Sequence, residues 1–323
     1  MLRKVLVTGG TGFVGLAVLR RLSDEGGIAL IAPVRRKEAA LPVGVTPVFI
    51  EELSGKTDWL KSLHGVDVVV HCAARVHVMK EKAVHALELY NEVNEAGTVA
   101  LARQSAVAGV KRFIFLSSIK VNGEKTALGH PFKAESEIAP ADPYAISKSF
   151  AERALRLIAA QSGMEVVIIR PPLIYGPGVK ANFKTMMRWV DCGMPLPFAG
   201  FDKNRRSLVA IENLIDLIFK CLNHPAAANQ TFLVSDGEDL STESLVRKLG
   251  RALGKPTRLF YVPLTVCNLG ARVIKKRDMY QRLCDSLQVD IRKTEELLGW
   301  APPISVDDAL RKTAEAFRVQ NLL

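Results

Sequence analysis

The chain has 323 residues, of which 48% are hydrophobic and 24% are charged. This balance is typical of a globular protein with a sizeable core, and it excludes the disordered and fibrous classes. The 44 lysines and arginines outnumber the 33 acidic residues and give a formal net charge of +11. Such an excess favours anionic partners, among which nucleic acid, acidic lipid and phosphorylated ligands remain open.

The cysteines and the first residues indicate a reducing, cytoplasmic location. Five cysteines are an odd number with no CxxC pair, so we predict neither a disulfide framework nor a zinc ribbon. Met1–Lys4 leads directly into the apolar run Val5–Val7, which leaves no room for a cleavable signal. The apolar segment 263–274 is too short to span a bilayer and contains Asn268 and Arg272, so no transmembrane helix is predicted. A buried helix is the favoured interpretation of this segment, and a surface-lying amphipathic helix is the alternative.

Metal and nucleic-acid sites find little support in the sequence. The six histidines include no HExxH motif and no close His/Cys pairing with ligand spacing, so no metal site is predicted. His71 is interpreted as a packing residue at a strand end. The basic residues lack interleaved aromatic residues and a recognisable module, so no nucleic-acid partner is predicted.

Short apolar runs alternate with longer stretches of helical period from residue 3 to about residue 170. Uninterrupted apolar runs are typical of strands that are buried on both faces of a parallel sheet, with crossover helices between them. The predicted strands are Lys4–Val7, Ile28–Val34, Thr46–Ile50, Asp67–His71, Arg112–Leu116 and Glu165–Arg170. The predicted helices are Leu16–Asp24, Leu87–Ala108 and Ile146–Ala160, with Gly26, Gly109 and Gly163 as stop signals. We therefore predict an α/β fold built on a doubly wound parallel sheet.

The composition changes after Arg170, where proline and glycine become too dense for long regular elements. We predict a first domain over residues 1–172, to which the chain returns around residues 207–235. A smaller lobe occupies mainly residues 173–323. A cleft between the two is the expected ligand site.

A glycine-rich turn lies between the first strand and the first helix. Residues 8–15 read TGGTGFVG, so Gly10, Gly12 and Gly15 satisfy the GxGxxG spacing, and Gly9 with Gly12 and Gly15 gives its variant. Glycines here permit a tight turn and a close backbone approach to a pyrophosphate, whose charge meets the free amides at the helix start. We predict a Rossmann-type dinucleotide-binding domain. A tight turn without a ligand is the alternative.

The choice of cofactor is read at the end of the second strand, where an acidic residue would bind the ribose 2′-hydroxyl of NAD. This chain has Arg35 and Arg36 at that place. Guanidinium groups pair with phosphate and no carboxylate repels it, so NADP(H) is favoured and NAD(H) stays possible. Alternatively, both arginines are solvated or stack on the adenine, which would leave a weak or dual preference.

Tyr144 and Lys148 form a YxxxK pair at the start of a predicted helix, with both side chains on one face. Ser118 follows the fifth strand, at the edge where open α/β sheets bind ligands. A free phenol has a pKa of about 10. We expect the Lys148 ammonium to lower the pKa of Tyr144 by favouring tyrosinate. These residues predict acid–base catalysis, with Ser118 holding the same substrate oxygen.

Together these motifs resemble the extended short-chain dehydrogenase/reductases, and within them the NAD(P)-dependent epimerase/dehydratase group acting on nucleotide sugars. The resemblance covers nearly the whole chain. It rests on TGGTGFVG at 8–15, HCAA at 71–74, VN at 93–94 with GT at 97–98, SS at 117–118, the YxxxK pair, RPPLIYGPG at 170–178 and LGWAP at 298–302. It implies a catalytic triad of Ser118, Tyr144 and Lys148. The predicted cofactor-binding residues are Gly9, Gly12, Phe13, Val14, Gly15, Arg35, Arg36, Ala73, Ala74, Tyr144, Lys148 and Pro171.

The same resemblance implies that a UDP-sugar binds in the cleft, with Ser118 among its contacts. Asn182 is expected near the diphosphate, and Asp290 is expected against the sugar or the nucleotide. Arg206 resembles an arginine that binds the diphosphate, and Arg282 would be a second one, at an unexpected offset from Asp290. For both arginines the alternative is a surface charge. A homodimer through the two long predicted helices is the family expectation.

The residues beside the serine bear on which reaction of the group is expected. Dehydratases of the group carry Thr-Asp-Glu where this chain has Ser118-Ile119-Lys120. Because the acid pair is absent, 4,6-dehydration is not predicted. Lys120, and Asn122 in the stretch VNG, depart from the family pattern and are left without a role.

Two chemistries of the group remain. Reductases deliver a hydride from NAD(P)H to a 4-keto sugar while the tyrosine donates the proton. Arg35 and Arg36 favour this reading, and several stretches resemble bacterial 4-reductases of O-antigen and lipopolysaccharide biosynthesis that make UDP-N-acetylquinovosamine or UDP-N-acetylfucosamine. The alternative is a UDP-hexose 4-epimerase that oxidises and re-reduces C4 with a retained NAD. A remote alternative is a non-catalytic NADP-binding regulator, which typically lacks the Tyr and Lys pair.

Overall fold

A computed structural model describes residues 3–36, 38–76, 83–263, 266 and 283–322. The strands are β1 (Arg3–Thr8), β2 (Ile28–Val34), β3 (Val45–Phe49), β4 (Val68–His71), β5 (Arg112–Leu116), β6 (Glu165–Arg170), β7 (Leu173–Tyr175), β8 (Arg206–Ala210), β9 (Thr231–Leu233) and β10 (Asp239–Leu240). The α-helices are α1 (Phe13–Glu25), α2 (Leu60–Leu63), α3 (Ala83–Tyr90), α4 (Gly97–Val107), α5 (Pro143–Ser162), α6 (Ala181–Asp191), α7 (Ile211–Asn223), α8 (Thr242–Leu253), α9 (Arg292–Leu298) and α10 (Val306–Leu322). A π-helical turn spans Asn91–Ala96, and 3₁₀ turns span Ile119–Val121 and Pro225–Ala227.

Seven strands form one parallel sheet in the order β3-β2-β1-β4-β5-β6-β9. The strand order reverses beside β1, because the chain adds β2 and β3 on one side and β4 onward on the other. The carboxyl ends of β1 and β4 are in register, with Thr8 opposite His71. In open α/β sheets, ligands bind outside the strand ends at such a reversal. The sheet confirms the predicted Rossmann-type, doubly wound α/β fold.

Three predicted strands, β2, β5 and β6, have the observed bounds. The start of α5 differs from the predicted start, because a side chain caps the helix. Asp142 precedes α5, and its carboxylate accepts a hydrogen bond of 2.7 Å from the amide of Ala145. Pro143 occupies the first turn, where its missing N–H has no cost. The helix ends at Gly163, whose φ of 73° is left-handed. Because a side-chain cap sets its start, α5 begins three residues before the predicted helix.

The predicted single α-helix over Leu87–Ala108 is wrong in one respect. The described chain is helical there, but a π-helical turn at Asn91–Ala96 separates α3 from α4. The extra residue in this turn accompanies a buried Asn94, which accepts 2.7 Å from the amide of Arg75 and donates 3.0 Å to Ser147 Oγ. A tertiary contact therefore accounts for the interruption, as is common for π-turns near functional sites.

A second sheet of three short strands, in the order β10-β8-β7, carries a separate hydrophobic cluster. Helices α6, α8 and α10 pack on this cluster. The expectation that no long element follows Arg170 is wrong for α6, because residues 181–191 contain neither proline nor glycine. Between β8 and β10 the chain rejoins the main sheet, where α7 packs on α1 and β9 pairs with β6.

Two features bear on the sequence predictions about location. Within the described ranges, no helix is long and apolar enough to cross a membrane. The apolar segment 263–274 lies outside the described residues, apart from residues 263 and 266. The four described cysteines, Cys72, Cys192, Cys221 and Cys284, are free thiols.

Candidate active site

The glycine turn between β1 and α1 is fixed by close backbone contacts. The amide of Gly12 donates 2.8 Å to the carbonyl of Gly9. A Cβ on Gly15 would lie 2.2 Å from that same oxygen, and a Cβ on Gly9, where φ is +70°, would lie 2.8 Å from the nitrogen of Ala73. Only glycine fits these contacts. Helix α1 starts without a side-chain cap at Gly12, so its first amides suit a pyrophosphate, and the turn fits a dinucleotide cofactor.

A buried histidine supports the turn from below. His71, at the end of β4, lies 2.7 Å from Thr8 Oγ1 and 2.9 Å from Thr98 Oγ1. The amide of Ala73 donates 3.1 Å to the same Thr8 hydroxyl. Burial lowers the pKa of His71 to about 3, with a smaller contribution from the Lys148 charge. The ring is therefore neutral, and it joins the strand ends on both sides of the sheet reversal.

A cleft of about 770 Å³ opens between the glycine turn and the second sheet. Apolar side chains of the smaller lobe, including Phe183, Met186, Trp189, Phe198 and Leu245, form the wall facing the turn. The predicted site residues that line the cleft are Gly9, Gly12, Phe13, Val14, Gly15, Ala74, Ser118, Tyr144, Lys148, Pro171, Asn182 and Arg206. The structure thus brings the predicted catalytic residues and most predicted cofactor residues together.

Ser118 and the YxxxK pair reach the cleft from two elements. Ser118 follows β5 and caps the 3₁₀ turn at Ile119–Val121. Its hydroxyl accepts a hydrogen bond of 3.3 Å from the amide of Lys120. Tyr144 and Lys148 lie one turn apart in α5. The Lys148 ammonium donates 2.8 Å to the carbonyl of Leu116 and lies 4.4 Å from the centre of the Phe115 ring. The ammonium is therefore held against the end of β5.

The electrostatics of the pair differ from the expectation. Burial raises the pKa of Tyr144, and the Asp142 carboxylate and the Tyr90 phenol raise it further. Burial lowers the pKa of Lys148 to about 8, against the opposing effects of Cys72 and Glu152. The expected lowering of the Tyr144 pKa by Lys148 is wrong for this arrangement. Burial, the Asp142 carboxylate and the Tyr90 phenol all raise this pKa, and the Lys148 ammonium, which is bound to the Leu116 carbonyl, does not offset them.

Four of the described predicted residues lie outside the cleft lining. Arg35 and Arg36 are exposed just after β2 and do not line the cleft. Ala73 is also outside the lining, although its backbone lies against the turn. Asp290 binds the Arg292 guanidinium at 2.5 Å, a pairing that lowers the pKa of its carboxyl, and the structure does not bring it to the cleft. Arg282 lies outside the described residues.

A buried ion pair behind the cleft was missed by the sequence analysis. The Glu152 carboxylate, fully buried on α5, accepts 2.8 Å and 2.5 Å from the guanidinium of Arg170 and 2.6 Å from Ser117 Oγ. Arg170 also donates 3.0 Å to the side chain of Asn122. The pair joins α5 to the ends of β5 and β6. Its sequence signal was an arginine that closes the apolar run of β6, with a glutamate four residues after Lys148.

Asn94 is a second residue without a predicted role. Its side chain contacts Ser147, which lies next to Lys148 in α5, and the chain at Arg75, which follows the cleft residue Ala74. It therefore connects the π-helical turn to both sides of the site. The motif containing Val93 and Asn94 carried the family resemblance, but spacing alone did not indicate this contact.

The family profile described as "NAD dependent epimerase/dehydratase family" matches residues 5–235. A UDP-glucose 4-epimerase of Vibrio cholerae is 49% identical over 324 residues, which cover 99% of this chain and 97% of the relative. A dTDP-4-dehydro-6-deoxyglucose reductase of Escherichia coli is 22% identical over 337 residues, which cover 97% of this chain and 97% of the relative.

Solved structures share the fold. A UDP-glucose 4-epimerase of Thermotoga maritima, with UDP-glucose, superimposes with a TM-score of 0.78 at 23% identity, covering 98% of this chain and 99% of that chain. A UDP-N-acetylglucosamine 4-epimerase of Bacillus cereus gives a TM-score of 0.79 at 19% identity, with coverage of 98% and 99%. With a profile match over most of its length and a relative nearly half identical throughout, the chain belongs to the NAD-dependent epimerase/dehydratase family of enzymes.

Proposed function

We propose that the protein is a UDP-hexose 4-epimerase that works with a retained NAD. The observation that carries this proposal is the 49% identity to a UDP-glucose 4-epimerase, which extends over 99% of the chain. The sequence analysis favoured a 4-keto reductase, and this relative favours its alternative instead. The glycine turn, Ser118, Tyr144 and Lys148 share one cleft, as either reaction requires.

The roles of the chain's residues follow from their positions. When bound, the nicotinamide supplies a hydride acceptor and donor for C4 of the sugar. Tyr144, as the tyrosinate, accepts the proton of the 4-hydroxyl as the C4 hydride leaves, and the resulting phenol returns the proton after the 4-keto sugar has rotated in the cleft. Ser118 donates a hydrogen bond to the same oxygen and stabilises its developing charge. The reaction would consume no cofactor, because epimerisation leaves the sugar at its original oxidation level.

Lys148 supplies positive charge near the reacting oxygen. Its pKa of about 8 leaves the ammonium largely charged at neutral pH. Two other cleft residues, Asn182 and Arg206, are proposed contacts of the diphosphate. Arg206 also donates 2.9 Å to the carbonyl of Asp285, which orients its guanidinium beside β8.

A 4-keto reductase that uses NADPH is the second candidate. The observation in its favour is the pair of exposed arginines, Arg35 and Arg36, directly after β2. In this fold, cations at that place suit a ribose 2′-phosphate. The reductase would use the same Ser118, Tyr144 and Lys148, so the two candidates differ in cofactor turnover and not in the catalytic geometry.

Two incubations separate the candidates. The purified protein with NAD is given UDP-glucose, and the sugar nucleotides are separated while nicotinamide absorbance is followed. An epimerase forms UDP-galactose with no net change in cofactor. With a UDP-4-keto-6-deoxy-N-acetylhexosamine, stoichiometric loss of NADPH together with no reaction of UDP-glucose or UDP-N-acetylglucosamine would contradict the epimerase and support the reductase.

A further inference from the structure

Lys120 is a cation in the cleft wall, two residues after Ser118, to which the reaction above assigns no part. Its ammonium donates 2.5 Å to Asp142 Oδ2 and 2.8 Å to Glu124 Oε1. The side chain is 21% exposed, and that of Asp142 is 24% exposed, whereas Glu124 lies further out at 40%. The inner contact of Lys120 is therefore the one with Asp142.

Asp142 sits at a sensitive place in the site. One of its carboxylate oxygens caps α5 by accepting from the amide of Ala145, and the other receives Lys120. Tyr144 follows two residues later, in the first turn of the same helix. A single carboxylate thus caps the start of the catalytic helix, two residues before the catalytic tyrosine in the chain.

The charge of this carboxylate acts against the proposed chemistry. Tyr144 must release its proton to serve as a base, and a nearby negative charge disfavours the tyrosinate. Asp142 does raise the pKa of Tyr144, second only to burial. A cation on Asp142 reduces this repulsion while leaving the helix cap in place.

We propose that Lys120 is a positioning residue for the proposed reaction: it holds Asp142 and offsets the negative charge of that cap beside Tyr144. This inference rests on the proposed function, because it requires Tyr144 to exchange a proton. Lys120 acts through Asp142. This role accounts for the lysine that stands where dehydratases of the family have the second acid of the Thr-Asp-Glu pattern.

Other titratable groups reach this region from each packed element. They are Tyr90 from α3, Cys72 after β4, Lys148 and Glu152 from α5, and Glu124 after the 3₁₀ turn. Lys148 is bound to the carbonyl of Leu116, and Glu152 is bound to Arg170. Lys120 therefore contacts the carboxylate that is nearest in sequence to Tyr144.

The test is the pH dependence of kcat/KM for the epimerisation of UDP-glucose. In Lys120→Gln the limb that rises with pH moves to higher pH, because Asp142 loses the positive charge of Lys120. Below that limb, kcat/KM falls roughly tenfold for each unit of displacement. Lys120→Arg keeps the limb near its original position. Lys120→Gln/Asp142→Asn brings it back or lower, since asparagine preserves the helix cap without the charge.

Glu124→Gln is the matched control, because it removes the outer carboxylate from the same lysine. Its limb does not move to higher pH. An unmoved limb in Lys120→Gln would overturn the proposal. A displacement that persists in the double variant would also overturn it, since loss of structure rather than charge would then be the cause.

Failure of the proposed function is detected separately. If the wild-type protein with NAD turns over neither UDP-hexose nor a 4-keto sugar, that function is wrong and the inference falls with it. If it reduces only a 4-keto sugar, the epimerase assignment alone is wrong. The same variants are then compared on that reaction, where Tyr144 donates its proton and the falling limb moves to higher pH in Lys120→Gln. A falling limb that stays in place would contradict the role of Lys120.

Discussion

The two sides of the cleft are built in different ways. On the cofactor side, backbone atoms of Gly9, Gly12 and Gly15 approach so closely that no side chain fits between them. On the reaction side, charged side chains hold the elements together, through Glu152 with Arg170 and through Asp142 with Lys120. An added methyl group is therefore expected to impair cofactor binding on the first side. Loss of a single charge or hydroxyl is expected to impair catalysis on the second side.

The largest effect is expected from Tyr144→Phe on the reaction side. The ring stays in place, but the proton can no longer be exchanged, and general acid–base catalysis contributes about 10²–10⁴-fold. We expect kcat for UDP-glucose epimerisation to fall by that order while NAD still binds. Tyr261→Phe, at a side chain that is 69% exposed, is the control. Equal turnover in Tyr144→Phe and the wild type would remove the proposed mechanism.

Gly15→Ala tests the cofactor side. The added Cβ would lie 2.2 Å from the Gly9 carbonyl oxygen, so the turn must open. Overpacking costs about 1–3 kcal/mol, which corresponds to roughly 5- to 150-fold weaker binding if the turn bears it. Titration calorimetry with NAD measures this loss. Gly163→Asn is the control. Gly163 has a left-handed backbone conformation at the end of α5 and no atom within 4 Å of its Cβ position, so this variant keeps the affinity for NAD. Unchanged NAD affinity in Gly15→Ala would contradict a pyrophosphate at this turn.

The double substitution Arg35→Ser/Arg36→Ser tests the choice between NADP and NAD on the cofactor side. If these cations meet a 2′-phosphate, each charge-assisted hydrogen bond contributes about 1.5–3 kcal/mol, and the affinity for NADP falls while that for NAD stays. The measured quantity is the ratio of the two dissociation constants. Arg103→Ser removes one exposed cation from α4 as a control for net charge. An unchanged ratio would show that both arginines are solvated.

The last effect, which changes stability instead of activity or binding, concerns the neutral His71 beneath the turn. Its folded pKa of about 3 lies below the ordinary value of 6.5, so the unfolded chain binds the additional proton between these values. The free energy of unfolding therefore falls as the pH drops from 6.5, by up to about 1.4 kcal/mol per pH unit. Urea unfolding at several pH values measures the slope. His71→Gln loses this part of the slope and His130→Gln, at an exposed side chain, keeps it; equal slopes in both variants would contradict a neutral His71.

The elements that could be predicted from sequence are those governed by local pattern. Strands β2, β5 and β6 are uninterrupted apolar runs, so their bounds follow from the residues themselves. The glycine turn follows for the same reason, because its spacing encodes the close approach of Gly12 and Gly15 to the Gly9 carbonyl. The π-helical turn does not, since it accompanies the contacts of Asn94 with Arg75 and Ser147, which lie 19 and 53 residues away.

The candidate site divides in the same way. Helical spacing places Tyr144 and Lys148 on one face, and the strand end places Ser118 beside them. Spacing does not give the direction of the Lys148 ammonium, which is set by the Leu116 carbonyl from another element. The effect of Asp142 on the pKa of Tyr144 could not be predicted from the sequence either, because the sequence does not show whether a cation contacts the carboxylate of a capping residue.

The most direct test of the central claim follows the hydrogen at C4. UDP-glucose that carries deuterium at C4 is converted by the protein in the presence of unlabelled NADH, and the sugar nucleotide product is analysed by mass and by NMR. We expect UDP-galactose with the deuterium still at C4, because an epimerase with a retained NAD would exchange no C4 hydrogen with the free cofactor. Loss of the label to the free cofactor pool, or recovery of unchanged UDP-glucose alone, would contradict it.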